Sequence, residues 1–236
     1  VIQGEGYTLY QGDCLNVLPT FRDRQFDLAL TDPPYGIGES AARVASRVNL
    51  ATPIDYGAFS WDSEPASPVA IEHIRRISQK QIIFGGNYFD LPPSKCWLVW
   101  DKLNSGDFAD CELAWTNLDK AVRIFRHMWN GMLRASERDC RRVHPTQKPV
   151  ALMRWCIEQA GHPQTIIDPY MGSGSVGIAT IQSGIHFVGI EKDARYFAIA
   201  HKRIADAARA VAGLPKQLSG RVEDYSESPL FAGVTP

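Results

Sequence analysis

Thr31-Asp32-Pro33-Pro34-Tyr35-Gly36 sets a carboxylate, two rigid prolines and an aromatic ring side by side, directly after the short apolar run Phe26-Asp27-Leu28-Ala29-Leu30. That run has the length of a buried strand, and the prolines forbid it from continuing. The chain must leave the sheet edge there. Proline holds φ at about −65°, so the carbonyls of Asp32 and Pro33 point in set directions and little entropy remains to be lost on binding. Such a turn can accept two hydrogen bonds from one amino group while Tyr35 stacks on the flat ring that carries it. The exocyclic amine of a nucleobase fits that description. Asp-Pro-Pro alone reads more plainly as a turn with a solvent-facing acid; Tyr35, Gly36 and the second half of the chain move the reading toward chemistry.

That second half reads as a βαβ unit. Thr165-Ile166-Ile167-Asp168 is a strand, Gly172-Ser173-Gly174-Ser175-Val176-Gly177 opens a helix running to about Ser183, and His186-Phe187-Val188-Gly189-Ile190-Glu191 is a second strand. A Gly-x-Gly-x-x-Gly sequence alone is a weak sign. Placed between a strand and a helix, with Glu191 ending the next strand 23 residues beyond Asp168, it points to a ribose-containing cofactor. The glycines let backbone approach the ligand, and the acid pairs with ribose hydroxyls. Asp168-Pro169-Tyr170 brings a carboxylate to the loop where a dinucleotide would lay its pyrophosphate. A negative charge there suits S-adenosylmethionine, with its sulfonium and α-ammonium, over NAD. Asp13 ends the strand-like run Tyr7-Thr8-Leu9-Tyr10-Gln11-Gly12, where it either caps the following turn or accepts a hydrogen bond from a nucleotide base.

Elements of the expected kind surround these two stretches. Pro68 to Lys80 has Val69, Ile71, Ile74 and Ile77 at helical spacing and leads into the strand Gln81-Ile82-Ile83-Phe84 and the turn Gly85-Gly86-Asn87-Tyr88. Closely spaced strand-like runs at Cys96 to Trp100, Cys111 to Trp115 and Val122 to Phe125 predict antiparallel pairing at one edge of a larger sheet. A helix is expected from Val150 to Ala160, and another carrying Phe197, Ala200, Ile204, Ala208 and Val211 on one face. Ile37 to Asp62 has no sustained periodicity and reads as a lid or substrate-contacting loop, with Arg43 and Arg47 as phosphate contacts. Beyond Gly213 a loosely held tail is expected.

Composition bounds the rest. A chain of 236 residues, 44% hydrophobic and 22% charged, holds one good core. Neither a membrane span nor a signal peptide is visible, and the opening on Val1 rather than Met carries the expectation that an initiator or a short leader was removed. The five cysteines, Cys14, Cys96, Cys111, Cys140 and Cys156, are scattered without metal-ligand spacing, which predicts reduced, mostly buried thiols and no metal. A net charge of −1 argues against a nonspecific coat for nucleic acid. Positions 120 to 148 differ: Lys120, Arg123, Arg126, Arg134, Arg138, Arg141, Arg142 and Lys148 face only Glu137 and Asp139. Interleaved with Phe125, His127, Trp129 and Met132, this reads either as a solvated face or as a surface that neutralises phosphates and packs on bases or sugars.

Three ordered stretches, Asp32-Pro33-Pro34-Tyr35, His144-Pro145-Thr146-Gln147-Lys148-Pro149 and Asp168-Pro169-Tyr170-Met171-Gly172-Ser173-Gly174, resemble the DNA amino-methyltransferases of the β arrangement, in which the catalytic motif precedes the cofactor loop. The resemblance runs from about residue 7 to 205. It implies an α/β, Rossmann-like fold with a mostly parallel seven-stranded sheet and an antiparallel edge. It also implies methyl transfer from S-adenosylmethionine to N6 of adenine in DNA, or less often N4 of cytosine, after base flipping. Asp32 and the Pro33 carbonyl would hold the amine, Pro34 would stiffen the turn, and Tyr35 would stack on the base. His144, Thr146 and Lys148, with Asp168, Tyr170, Gly172, Ser173 and Gly174, would hold the methionine part of the cofactor. Glu191, beside Lys192, would hold its ribose, and Asp13, beside Cys14, its adenine. Arg43, Arg47, Arg123, Arg126, Arg134, Arg138, Arg141 and Arg142 would meet DNA.

One methyltransferase domain over 1–212 follows, with a catalytic half to 102, an abbreviated target-recognition region at about 103–143 and a cofactor half from 144. Tyr170 stands where the family usually has Phe. The implied compartment is the cytoplasm of a prokaryotic or phage-infected cell; a homodimer or a restriction endonuclease partner leaves no sign in the sequence. RNA or protein amino-methylation and a nicotinamide dehydrogenase are the competing readings. Asn in place of Asp32 is usual for protein-directed members, and ring methylation of cytosine needs a Pro-Cys motif that this chain lacks.

Overall fold

Apolar strand-length runs alternate with amphipathic stretches along the chain, and tertiary pairing gathers the strands into one sheet. The computed structural model describes residues 1–37, 64–103, 109–129, 134–137 and 147–213. In chain order the elements are β1 (Ile2–Gly4), β2 (Tyr7–Gln11), α1 (Cys14–Val17), β3 (Phe26–Thr31), α2 (Pro68–Ile77), β4 (Ser78–Phe84), β5 (Trp97–Asp101), β6 (Cys111–Thr116), β7 (Arg123–Arg126), α3 (Val150–Gln159), β8 (Thr165–Asp168), α4 (Ser175–Gln182), β9 (His186–Glu191) and α5 (Ala194–Val211). The lid expected at Ile37 to Asp62 falls, beyond Ile37, outside the described residues, as does the tail beyond Gly213.

The sheet order is β1-β2-β9-β8-β3-β4-β6-β5-β7. From β2 to β4 neighbouring strands are parallel, and β6 runs antiparallel to both β4 and β5. The Rossmann-like α/β expectation is borne out, with nine strands among the described residues where seven were expected. One addition is β1, folded back on β2 through a turn with Gly6 at φ +78°. β7, already read as a strand at Val122 to Phe125, was expected antiparallel but runs parallel to β5. Both sides of β6 are filled, so the next strand can only take the free edge of β5. It starts from the sheet end where β6 leaves, and so runs with β5.

Alternate residues of the central strands supply two cores. Leu28, Leu30, Ile82 and Phe84 pack with Leu152, Val176 and Phe197 of α3, α4 and α5, while Ala29, Ile83 and Ile167 pack with Ile71, Ile74 and Ile77 of α2. Strands covered on both faces read as continuous apolar runs, as β3 does. Helix α2 stops at Ile77, three residues short of the expected end. Ser78 turns extended and its hydroxyl donates to the Ile74 carbonyl at 2.6 Å, so Ser78-Gln79-Lys80 begins β4 instead. No helix among the described residues is long and apolar enough to cross a membrane.

This order fixes where a ligand can sit. β8 continues through α4 to β9 on one side, and β3 continues through α2 to β4 on the other, the two helices covering opposite faces. Neighbours that diverge in this way open a crevice at their carboxyl ends. Asp32 follows β3 there and Asp168 ends β8.

Candidate active site

The crevice between β3 and β8 is a cavity of about 820 Å³ whose wall includes Asp13, Cys14, Asp32, Pro34, Lys148, Asp168, Tyr170, Gly172, Ser173, Glu191 and Lys192. Both motifs thus share one space. A direct bond joins them: the Thr31 hydroxyl, one residue before Asp32, donates to Asp168 Oδ1 at 2.7 Å.

The turn after β3 is braced from behind. The Ala66 amide donates to the Pro34 carbonyl at 2.9 Å, Tyr35 bridges to Pro65, and a Cβ on Gly36 would come within 2.6 Å of the Pro65 ring. Tyr35 donates its hydroxyl to Asp32 Oδ1 and stacks on Tyr88, with ring centroids 5.0 Å apart and planes 12° apart. Gly85 makes room for that ring, since its Cβ would lie 2.1 Å from Tyr35 Cε1. The glycine turn after β4 therefore seats the tyrosine of the first motif.

Asp32 Oδ2 accepts from Lys148 Nζ, which also lies 3.1 Å from Glu112 Oε2. Glu112 Oε1 in turn pairs with Lys102. Burial pushes the Asp32 carboxyl up and the Glu112 charge adds to it, while Lys148 and the Tyr35 hydroxyl pull the other way. Burial would also raise Glu112, but the two ammonium groups outweigh it and hold that carboxyl to about 2. Burial works against the charge on Lys148; the two carboxylates overcome it and hold the ammonium well above its ordinary pKa. Lys148 lines the cavity as expected of a cofactor residue, yet its charge is engaged by Asp32 and Glu112. Glu112 and Lys102 escaped the sequence reading because a lone acid at the start of a strand carries no sign of its partner.

On the opposite wall, Glu191 accepts the Gly172 and Asp193 amides, each at 2.8 Å, so its carboxylate is fixed at the strand tip. Asp168 Oδ1 also accepts the Tyr170 amide at 3.1 Å. Burial raises both acids to about 7, against the backbone and hydroxyl donors that lower them. Cys14 lies against Tyr170, and burial pushes the thiol and the phenol up. Asp13 caps α1 through the Leu15 amide at 3.0 Å and pairs with Lys192 at 2.9 Å, so the plainer use expected of it is realised while it still faces the cavity. Arg203 donates to the Ser173 carbonyl.

Not every glycine of the loop serves a ligand. Gly172 lines the cavity, but a Cβ on Gly174 would lie 3.2 Å from Ala200, and one on Gly177 2.5 Å from Ile204 and 2.7 Å from Phe187. Those two let α4 settle against α5 and the sheet, and Gly174, unlike Gly172 and Ser173, is not among the residues lining the cavity. Sequence reading missed Ser175, whose buried hydroxyl lines the cavity and has no hydrogen-bond partner among the described residues. Size, paired acids and that unanswered hydroxyl fit a nucleoside bearing an amino-acid tail. His144 and Thr146 lie outside the described residues.

The basic stretch resolves in part. Arg123 and Arg126 lie on the edge strand β7, Arg126 3.4 Å from Asp101, and Arg134 stacks on Trp129 at 5.6 Å. Of the interleaved residues, Trp129 and Phe125 are taken up by packing, His127 stacks on Phe125, and Met132 lies outside the described residues. Trp129 is buried with its indole donating to the Gln147 carbonyl at 2.9 Å, and Phe125 stacks on Trp155 of α3, because an edge strand buries one face. Glu137 is spent on the Val150 amide at 3.0 Å, at the start of α3. Arg43, Arg47, Arg138, Arg141 and Arg142 lie outside the described residues.

Comparison with known proteins agrees with this fold. YubD of Escherichia coli (strain K12) is 28% identical over 219 residues, covering 85% of this chain and 91% of YubD. The type II methyltransferase M2.MboI of Moraxella bovis is 20% identical over 244 residues, covering 84% and 88%. Among solved structures, the cytosine-N4-specific PvuII DNA methyltransferase matches the fold with a TM-score of 0.53 at 12% identity, covering 89% of this chain and 94% of that one. The profile of the DNA methylase family matches residues 80–202, more than half of the chain. Together with the shared cavity, that match makes this chain a member of the DNA methylase family, the S-adenosylmethionine-dependent amino-methyltransferases of the N6/N4 type.

Proposed function

We propose that this protein methylates N6 of adenine at specific sites in DNA. The observation that carries the reading is the position of Asp32 in the cavity that also holds Asp168 and Glu191, with Thr31 bonded to Asp168 between them. When bound, S-adenosylmethionine supplies an electrophilic methyl group on a sulfonium.

Everything else falls to the chain. An exocyclic amine is a poor nucleophile because its lone pair is delocalised into the base. Asp32 Oδ2 and the Pro33 carbonyl each accept one of its hydrogens, which turns the lone pair out of the ring plane toward the donor. On that lone pair the N–C bond would form as the donor's S–C bond gives way, the S–C electron pair leaving with the neutral thioether. The methylated nitrogen then carries the positive charge and releases one proton to Asp32 or to water. Rate enhancement comes from orientation and fixed charge, with no covalent intermediate. Glu191, Asp168 and Ser175 hold the donor, with Asp13, Cys14, Tyr170 and Lys192 around its base and ribose. Tyr35, backed by Tyr88, forms the platform for a base flipped out of the duplex or presented single-stranded. Arg123, Arg126 and Arg134 make phosphate contacts at the rim.

Adenine over cytosine rests on Asp at position 32. The test is incubation of unmethylated duplex DNA with isotopically labelled S-adenosylmethionine, followed by nucleoside mass spectrometry. Labelled N6-methyladenine is expected; labelled N4-methylcytosine would overturn the choice of base, and no label in DNA would overturn the reading as a whole.

A further inference from the structure

We propose that Lys148 is a two-position cation: with no base bound it caps Asp32, and when the target amine arrives it moves onto Glu112, the positioning residue that makes the exchange possible. This rests on the reading of Asp32 as the acceptor for that amine.

As the site stands, Asp32 is already satisfied. Tyr35 donates to one carboxylate oxygen and Lys148 to the other. The lysine ammonium offers the same N–H donors that the amine would bring, so the two compete for Oδ2. Tyr35 is held by its stack on Tyr88 and by its place in the braced turn, which leaves the lysine, on a flexible stem, as the group able to leave. Water is a poor receiver, because its side chain is only 8% exposed, over the ring of Phe84. A buried ammonium without a counter-charge is costly, so it needs a second anion within reach.

Glu112 is that anion. Its Oε2 lies 3.1 Å from Nζ, in ion-pair range, but is sealed from solvent and receives no aligned hydrogen bond among the described residues. It therefore has an unused lone pair for the incoming ammonium. Lys102 holds the other oxygen, itself lying 5.1 Å over the Trp100 ring. Asp32, Lys148, Glu112 and Lys102 alternate in sign and sum to zero, so a small shift of Nζ redistributes charge without creating any.

The test is a double-mutant cycle on methyl transfer to unmethylated duplex DNA, run as single turnovers with cofactor affinity measured beside it. In Glu112→Gln the lysine keeps only Asp32, so the transfer rate should fall by about 10- to 100-fold, with cofactor affinity unchanged. Glu112→Asp, which keeps the charge, should recover most of that rate. In a Lys148→Met background, Glu112→Gln should cost little further, because no cation remains to be received. An equal loss in both backgrounds, or a wild-type rate in Glu112→Gln, would overturn the exchange. Wild-type activity in Asp32→Ala would instead overturn the reading it rests on, so the two failures are distinguishable. Unchanged cofactor affinity in the Glu112 variants reports that their fold is intact, and circular dichroism does so for the Lys148→Met background.

Discussion

Between Asp168 and Glu191 the chain builds one wall of the cavity from consecutive elements, β8, the glycine loop, α4 and β9, each joined to the next by a short connection. The facing wall carries Asp32 after β3 and Lys148 before α3, with Glu112 of β6 paired to that lysine, three segments far apart in the chain. In the first wall backbone amides hold the acids, as they hold Glu191. In the second, side-chain charges hold one another. A local wall is stiff and suits a ligand that binds the same way each time. A wall of ion pairs can be rearranged, which suits the half that admits and releases a base.

Substitutions can separate the two walls. The largest effect is expected from Asp32→Ala, which should lower methyl transfer by about 10³-fold or more while leaving cofactor affinity nearly unchanged; tritium incorporation and calorimetry check the two halves of that statement. Glu191→Ala should do the reverse first, weakening cofactor binding by about 10- to 100-fold through loss of a charged acceptor. If either substitution damaged both functions equally, the walls would not be independent.

The third effect is one of pH. Asp168 and Glu191 titrate at about 7 in the folded protein because burial disfavours their charge. A ligand that brings an ammonium and hydroxyl donors prefers them ionised, so binding must expel protons below that pH. Cofactor affinity should therefore rise by about tenfold between pH 6 and pH 8, with proton release measured by calorimetry in buffers of different ionisation enthalpy. Asp168→Asn should flatten the profile. The sign for stability is opposite: raised carboxyl pKa values favour the cofactor-free fold at low pH, and that contribution is lost as pH rises through about 7. The smallest effect is that of Ser175→Ala, which should cost about fivefold in cofactor affinity, seen in the same titration, since its hydroxyl gains a partner only when the ligand is present.

What could be read in advance follows the same division. β8 and β9 were legible to the residue, since strands of four and six residues with an apolar centre and an acid at the end leave little choice of boundary. The end of α2 was not, because Ser78-Gln79-Lys80 continues a helical pattern and only the pairing of β4 with β3 draws it into the sheet. Trp129 and Phe125 looked like a surface for bases until the packing of α3 turned them inward.

By itself the sequence determined the two motifs, the order in which they occur and the cofactor unit, because each is written in adjacent residues whose backbone limits and charges act locally. Only the tertiary structure decided that Glu112 belongs to the site. β6 lies antiparallel between β4 and β5, so its first residues arrive at the edge where the parallel strands end, and its acid meets Lys148 there. Strand order is set by which edges remain free as the sheet fills, a property of the whole packed chain that no single stretch of it carries.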